Sequence, residues 1–93
     1  MRSLGIFAAP GKPQAAVLAQ QLAEMARASG LEVALQIEAA PPKSLGGDGC
    51  PVRDEVASKD VLVTFSGDGG VLAASRAAML FGTPVLAVDL GRL

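Results

Sequence analysis

The residues best suited to chemistry lie in one short segment, residues 66–70, which reads Ser-Gly-Asp-Gly-Gly. Asp68 is its only ionisable side chain, and a positioned carboxylate can take a proton from a reacting hydroxyl group. An apolar run of strand length, residues 61–65, precedes the segment, and a helical pattern follows it. A glycine-rich turn between a strand and a helix directs backbone N–H groups at a phosphate. The pattern therefore predicts a phosphate-handling site with Asp68 beside it.

The same segment also fits a purely structural role. An aspartate at a helix start accepts hydrogen bonds from backbone N–H groups that have no partner within the helix. The glycines would then be turn residues that adopt positive φ angles. Because a single Gly-Asp-Gly is a weak motif, spacing alone leaves open both a helix cap and a general base or metal-associated carboxylate.

A second glycine-rich segment, residues 46–49, reads Gly-Gly-Asp-Gly. No strand pattern enters it, and Pro51 and a charged stretch follow it where a helix should begin. We therefore interpret Asp48 as part of a flexible connector. Cys50 lies beside it, and because the chain has no second thiol and no histidine, Cys50 is not expected to be catalytic.

Hydrophobic periodicity predicts the elements that position the site in the order β-α-β-loop-β-α-β. Strands are expected at residues 4–8, 32–38, 61–65 and 85–89, the second half-exposed near a sheet edge and the last two buried. Helices are expected from 15 to 29 and from 71 to a close at Gly82, with one helical turn at 55–59. The side chains expected to face the core are Leu18, Leu22, Met25 and Ser29 in the first helix, and Val71, Leu72, Ser75, Ala78 and Met79 in the last. This order predicts an α/β fold, a Rossmann-like three-layer domain with a mostly parallel sheet.

Composition excludes several classes of protein. The chain has 93 residues, enough for one domain, and is 51% hydrophobic, as globular proteins are. Without histidine it has no imidazole base and no conventional zinc cluster, and we assign no residue as a metal ligand. A net charge of −1 and only three aromatic residues, all Phe, argue against a nucleic acid or membrane partner. The single cysteine favours a reducing, cytoplasmic location.

The last predicted strand, residues 85–89, is not followed by a covering helix. Parallel strands normally have both faces covered. We therefore expect residues 1–93 to be one domain of a longer protein.

The last part of the chain resembles the N-terminal half of an NAD kinase. That family carries Gly-Gly-Asp-Gly-Thr after a buried strand, where this chain has Ser-Gly-Asp-Gly-Gly at 66–70. Further along, the family has a Pro-Val-Leu-Gly-Ile-Asn-x-Gly-x-Leu-Gly-Phe-like stretch, and this chain has Pro-Val-Leu-Ala-Val-Asp-Leu-Gly-Arg-Leu at 84–93. Lys12-Pro13 also resembles the family, so the resemblance covers the whole chain and is most specific over residues 60–93.

The resemblance implies transfer of a phosphate from ATP, or from polyphosphate in some members, to the 2′-hydroxyl of the adenosine ribose of NAD, with Mg²⁺ or another divalent cation. The family's proton-accepting aspartate falls on Asp68 and a ligand-contacting glycine on Gly69; Gly67 and Gly70 also let a ligand approach the backbone. Family members complete the NAD site with a C-terminal β domain, often from a neighbouring subunit. The resemblance therefore implies NAD and ATP as partners, a homo-oligomer for the full-length protein, and no activity for residues 1–93 alone.

The chain departs from the family pattern at four positions. Ser66 stands for the first glycine and Gly70 for a threonine, which removes a hydroxyl from the turn. Ala73 stands for a residue that is often basic, and Asp89 for an asparagine, which adds a negative charge. These differences bear on affinity and on the choice of phosphate donor, and they leave the base in place.

Two other readings remain. Lipid kinases of the diacylglycerol type and phosphofructokinases share the glycine-rich turn, but lipid kinases usually open with Asn-Pro, where this chain has Ala9-Pro10. A non-catalytic nucleotide-binding module with an altered motif is the other alternative. Lys12 and Arg76 are the cations nearest the motif along the chain, and both are more often plain surface residues than ligand contacts.

Overall fold

The computed structural model describes residues 1–9, 13–38 and 52–90, with the backbone alone for residues 68–70. Its elements, in chain order, are β1 (Ser3–Ala8), α1 (Pro13–Ala28), β2 (Glu32–Ile37), α2 (Asp54–Ala57), β3 (Val61–Ser66), α3 (Asp68–Met79) and β4 (Val85–Asp89). All four predicted strands are confirmed, and α2 is the single helical turn expected near residue 55. Predictions about Lys12, residues 46–49, Cys50 and residues 91–93 concern parts of the chain outside the described residues. No helix of the described ranges is both long and apolar enough to cross a membrane.

The four strands form one parallel sheet in the order β2-β1-β3-β4. Ile6 of β1 pairs with Val63 of β3, and Val63 pairs in turn with Leu86 of β4, so these three residues share one face of the sheet. Helix α1 packs on that face, and α2 and α3 pack on the other. The predicted α/β, Rossmann-like three-layer fold is confirmed, and β2 is the edge strand that its alternating sequence indicated.

Helix α1 packs against the sheet through small side chains. Its buried residues are all alanines: Ala15, Ala19, Ala23 and Ala26. Leu18 and Leu22 are partly buried beside them, whereas Met25 is 67% exposed and Ser29 is also exposed. The expected core stripe is therefore wrong at Met25 and Ser29. The alanines recur at helical spacing too, and their small size lets the helix lie close to the strands, so this face is the one that is buried.

Helix α3 follows the same rule. Ala74 and Ala78 are buried, with Ala73 and Ala77 partly buried beside them. Leu72 and Met79, which were expected to face the core, are 59% and 79% exposed, so that prediction is wrong for both. The alanine face again gives the closer contact with the sheet.

Strand β4 differs from its prediction as well. Its sequence is that of a buried strand, but Leu86 is 59% exposed, and Ala87 and Asp89 are exposed too. The reason is its place at the sheet edge, since α1 packs over β1, β2 and β3 and leaves Leu86 largely uncovered. By contrast β3, in the middle of the sheet, is buried as predicted.

Helix α2 lies unusually close to the central strand β1. A Cβ atom added to Gly5 would overlap the carbonyl oxygen of Val56 and lie 2.9 Å from its carbonyl carbon. Only glycine therefore allows this approach. At the start of α2, the backbone N–H of Arg53 donates to Oε1 of the buried Gln36, with 2.8 Å between nitrogen and oxygen. These contacts hold α2 on the same face as α3.

The amino ends of β1 and β3 are joined by a reciprocal set of hydrogen bonds. The N–H groups of Arg2 and Ser3 donate to Oδ2 of Asp60 at 2.7 and 3.0 Å, and the N–H of Asp60 donates to Oγ of Ser3 at 3.1 Å. The bond from Arg2 is the main reason that the pKa of Asp60 is lowered from its usual 3.8, and the bond from Ser3 adds to it. This set stabilises the edge of the sheet opposite the predicted site.

Candidate active site

The predicted site lies where the chain changes direction across the sheet. From β1 the chain passes to β2 through α1 on one face, and from β3 it passes to β4 through α3 on the opposite face. Because β1 and β3 are neighbours, their two connections diverge and leave a crevice beyond their carboxyl ends. Open α/β sheets bind ligands at such a switch point. The residues after β1 and β3 are therefore the ones placed to meet a ligand.

The turn after β3 is shorter than the sequence indicated. β3 ends at Ser66, Gly67 is the N-cap residue, and α3 begins at Asp68, three residues before the expected start at residue 71. Gly67 has φ −92° and ψ −164°, which is extended backbone, so the expectation of a positive φ there is wrong. The predicted strand–turn–helix arrangement itself is confirmed.

This geometry bears on the two interpretations of Asp68. The N-cap position belongs to Gly67, which has no side chain, so Asp68 is the first residue of the helix and not its N-cap. Its backbone stands at the carboxyl edge of the sheet, directly after the central strand β3. The environment of its side chain lies outside the described atoms, so the role of Asp68 as a base, and the roles of the neighbouring glycines, stay predictions.

Backbone hydrogen bonds tie the turn to both neighbouring strands. The N–H of Ala9, just beyond β1, donates to the carbonyl oxygen of Phe65 at 3.1 Å, and the N–H of Leu90, just beyond β4, donates to that of Ser66 at 3.0 Å. The first N–H groups of an α-helix have no acceptor within the helix. The end of β3 is thus hydrogen-bonded on both sides, which places the start of α3 where its N–H groups can bind an anionic oxygen.

A pair of hydroxyl groups lies directly before the turn. Oγ1 of Thr64 and Oγ of Ser66 are 3.1 Å apart, and both side chains are fully buried on the face covered by α2 and α3. Sequence reasoning missed this pair, because it treated Thr64 as part of an apolar run and Ser66 only as a departure from a family motif. The available signal was their spacing, since strand residues two positions apart share a face.

Among the described residues, Asp89 and Arg76 are the other charged ones that the sequence relates to the site. Asp89 is the register partner of Ser66, so it stands at the same carboxyl edge, where it is exposed. Arg76 is exposed in the last turn of α3, ~12 Å beyond Asp68 along the helix axis at ~1.5 Å per residue. The fold therefore brings Asp89 to the edge that carries Asp68 and places Arg76 toward the opposite edge, as an ordinary surface residue.

Comparison with known proteins supports the same family as the motifs. The chain is 34% identical to the NAD kinase of Heliobacterium modesticaldum and 26% identical to that of Wolinella succinogenes over its whole length, and 37% identical to that of Halobacterium salinarum over 97% of it. It spans about a third of each relative's length, 32%, 31% and 31% respectively, in their N-terminal part. No family model and no solved structure matches it. The resemblance to the N-terminal domain of NAD kinases is thus confirmed.

Proposed function

We propose that this chain is the N-terminal α/β domain of an NAD kinase whose complete form transfers a phosphate from ATP or polyphosphate to the 2′-hydroxyl of the adenosine ribose of NAD, producing NADP. Similarity to three NAD kinases along the chain supports the family. The observation that supports the site is the start of α3 at Asp68, at the carboxyl edge of β3 and beside the switch point between β1 and β3.

In this proposal Asp68 accepts the proton of the 2′-hydroxyl while the hydroxyl oxygen attacks the terminal phosphorus of the donor. The bond from that phosphorus to its bridging oxygen breaks, and ADP, or polyphosphate shortened by one unit, leaves with the electron pair of that bond. A ribose hydroxyl is a poor nucleophile until a positioned base removes its proton. The reaction also requires alignment of the reacting oxygens and neutralisation of phosphate charge, and the N–H groups at the start of α3 are suited to the latter. Gly67, Gly69 and Gly70 have no Cβ, which lets the ligand approach the backbone closely.

The cation that the resemblance implies is Mg²⁺ or another divalent ion. Within the described residues, no three side chains of the types that ligate metals are grouped closely enough to hold an ion. No step of the proposal depends on a metal ion held by these residues. Mg²⁺ in kinases commonly arrives bound to the nucleotide phosphates and uses only one or two protein carboxylates. The cation here accompanies the donor as part of the substrate.

Part of the proposed activity resides beyond these 93 residues. The chain spans about a third of the NAD kinases it matches. We infer that a C-terminal β domain completes the NAD site, that the complete protein is a homo-oligomer, and that it acts in the cytoplasm with NAD and ATP as its partners. Residues 1–93 alone are accordingly expected to form no NADP.

The first measurement is NADP formation by the complete protein. A lipid kinase would phosphorylate diacylglycerol and leave NAD unchanged, and a non-catalytic module would phosphorylate neither. The decisive variant is Asp68→Asn, which keeps the size of the side chain and removes its ability to accept a proton at neutral pH. Since loss of a positioned base costs ~10²–10⁴ in rate, we expect turnover to fall at least ~100-fold with NAD binding retained.

Stability measurements separate this effect from a structural one. Loss of a carboxylate near a helix N-terminus costs ~0.3–1 kcal/mol, so Asp68→Asn should still fold. The matched control is Asp48→Asn, the same substitution in the other Gly-Asp-Gly segment. Because the sequence pattern around Asp48 lacks the strand and helix of the predicted site, its turnover should stay within about twofold of wild type. If Asp48→Asn abolishes activity and Asp68→Asn spares it, the base has been assigned to the wrong segment.

A further inference from the structure

Among the described residues, the buried polar side chains are Gln36, Thr64 and Ser66. Gln36 has an evident structural task, because it accepts the backbone N–H at the start of α2. Thr64 and Ser66 are hydrogen-bonded to each other, at 3.1 Å, immediately before the turn that leads to Asp68. Their location suggests a task connected with that turn.

Stability alone does not account for these hydroxyl groups. Thr64 shares its face with Leu62, which packs in an apolar cluster with Ala74 and Ala78 of α3. Burying two hydroxyl groups in such surroundings costs free energy, and their mutual hydrogen bond offsets that cost without the net gain that a buried apolar pair would give. The hydrogen-bonded pair therefore fixes the orientation of the Thr64 and Ser66 side chains, because a hydrogen bond constrains orientation and an apolar contact does not.

Ser66 is the junction between the sheet and the site. Its carbonyl oxygen accepts the N–H of Leu90 at 3.0 Å, and its side chain is held by Thr64. With both groups held, the backbone of Ser66 has little freedom to rotate, so the direction in which the chain leaves β3 is fixed. Gly67 follows, and glycine by itself adds no such restriction. The next residue is Asp68, the first of α3.

We propose that the Thr64–Ser66 hydroxyl pair positions the turn so that Asp68 meets the 2′-hydroxyl of NAD in reactive geometry. The pair does not touch the substrate; it acts through Gly67 and the start of α3. This role rests on the proposed function of Asp68. A displacement of about 1 Å at a reacting group can cost ~10² in rate, so a buried pair that sets the exit angle of β3 has a measurable effect on turnover.

Two substitutions of Thr64 in the complete protein separate positioning from packing. Thr64→Val keeps the shape and removes the hydroxyl, whereas Thr64→Ser keeps the hydroxyl and removes a methyl group. Positioning predicts that Thr64→Val lowers kcat at least ~10-fold with KM for NAD nearly unchanged. Its Tm should fall as well, because the buried hydroxyl of Ser66 loses its partner. Positioning also predicts that Thr64→Ser keeps kcat within about twofold of wild type although its Tm falls. If Thr64 acts only through packing, Thr64→Ser should lower kcat more than Thr64→Val does.

Hydrogen exchange reports on the turn itself. The N–H of Val71 donates to the carbonyl oxygen of Gly67 at 3.2 Å, across the first turn of α3. Its exchange should be faster in Thr64→Val than in wild type and unchanged in Thr64→Ser, because local opening of this turn is what the pair restrains. The N–H of Glu32, bonded to the carbonyl oxygen of Arg2 at the far edge of the sheet, is the internal control and should be unaffected.

The outcomes are distinguishable. Lower kcat and faster Val71 exchange in Thr64→Val, both absent in Thr64→Ser, support the pair as a positioning device. If the wild-type protein makes NADP and Thr64→Val retains its kcat, the positioning role is overturned while the proposed function stands. If the complete wild-type protein makes no NADP, the proposed function is overturned, and so is the positioning role of the Thr64–Ser66 pair.

Discussion

Replacement of Gly5 by alanine tests the packing of the layer beside the site. An added Cβ would overlap the carbonyl oxygen of Val56 and lie 2.9 Å from its carbonyl carbon and 3.2 Å from its Cγ1, where ordinary contact begins at 3.4 Å. Because the obstacle is the backbone of α2, no side-chain rotation relieves the overlap. Overpacked cores lose ~1–3 kcal/mol, and we expect Gly5→Ala to lose about 3 kcal/mol, the upper end of that range.

A loss of that size is large for a domain of this length. Total stability is typically ~5–15 kcal/mol. One kcal/mol corresponds to a Tm change of ~4–8 °C in domains of 60–100 residues, so Gly5→Ala should lower Tm by at least about 12 °C. Urea unfolding followed by circular dichroism gives the free energy of unfolding, and a thermal scan gives Tm.

A matched control is Gly30→Ala. Gly30 has φ +88° and no atom within 4 Å of the position of an added Cβ, so this variant reports backbone strain without a clash. Such strain costs ~1–2 kcal/mol, less than the loss expected at Gly5. In a strand without the α2 contact, alanine would instead gain ~0.5–1 kcal/mol over glycine. A Gly5→Ala variant as stable as wild type would therefore refute the close approach of α2 to β1.

Two further variants test hydrogen bonds that hold the sheet and α2. Asp60→Asn should reduce stability at pH 7 and have a smaller effect in acid. The N–H groups of Arg2 and Ser3 lower the pKa of Asp60 from 3.8, so the carboxylate contributes fully to the free energy of unfolding above pH 3.8. This contribution is lost as the pH falls through the lower pKa of the folded state. Urea titrations of wild type and Asp60→Asn at pH 7 and near pH 2.5 would contradict this if the stability difference between the two proteins did not shrink in acid. Gln36→Leu leaves the N–H of Arg53 without its acceptor and should lower the free energy of unfolding by ~1–3 kcal/mol. The measurement is a lower urea midpoint with an unchanged m value. An unchanged midpoint would show that the 2.8 Å bond contributes nothing to stability.

The local elements were largely readable from the sequence. Alternation and short apolar runs placed all four strands, because a strand that buries one or both faces must carry apolar residues with a period of two or in a continuous run. Segment 66–70 was recognisable for a similar reason: a glycine-rich stretch between a strand and a helix is a contiguous feature of the chain. The sequence also favoured this segment over residues 46–49 on its flanking pattern alone, a choice that stays a prediction.

Helix faces were only partly readable. In α1 and α3 the alanines and the larger apolar residues both recur at helical spacing, so periodicity gives two candidate faces. The distance between helix and sheet decides between them, and that distance is set by tertiary packing. At close approach the small residues are buried, and Met25 and Met79 remain in solvent.

The tertiary structure decided that β1 lies between β2 and β3, and everything that depends on this placement. Pairings such as Leu4 with Val61 join residues far apart in the chain, and no local pattern records which strands will be neighbours. That order makes β4 an exposed edge despite its apolar sequence, and it puts the switch point between β1 and β3, where α3 begins at Asp68. The Thr64–Ser66 hydrogen bond depends on it as well, because β3 becomes a buried central strand only when β1, β4 and both helical layers surround it.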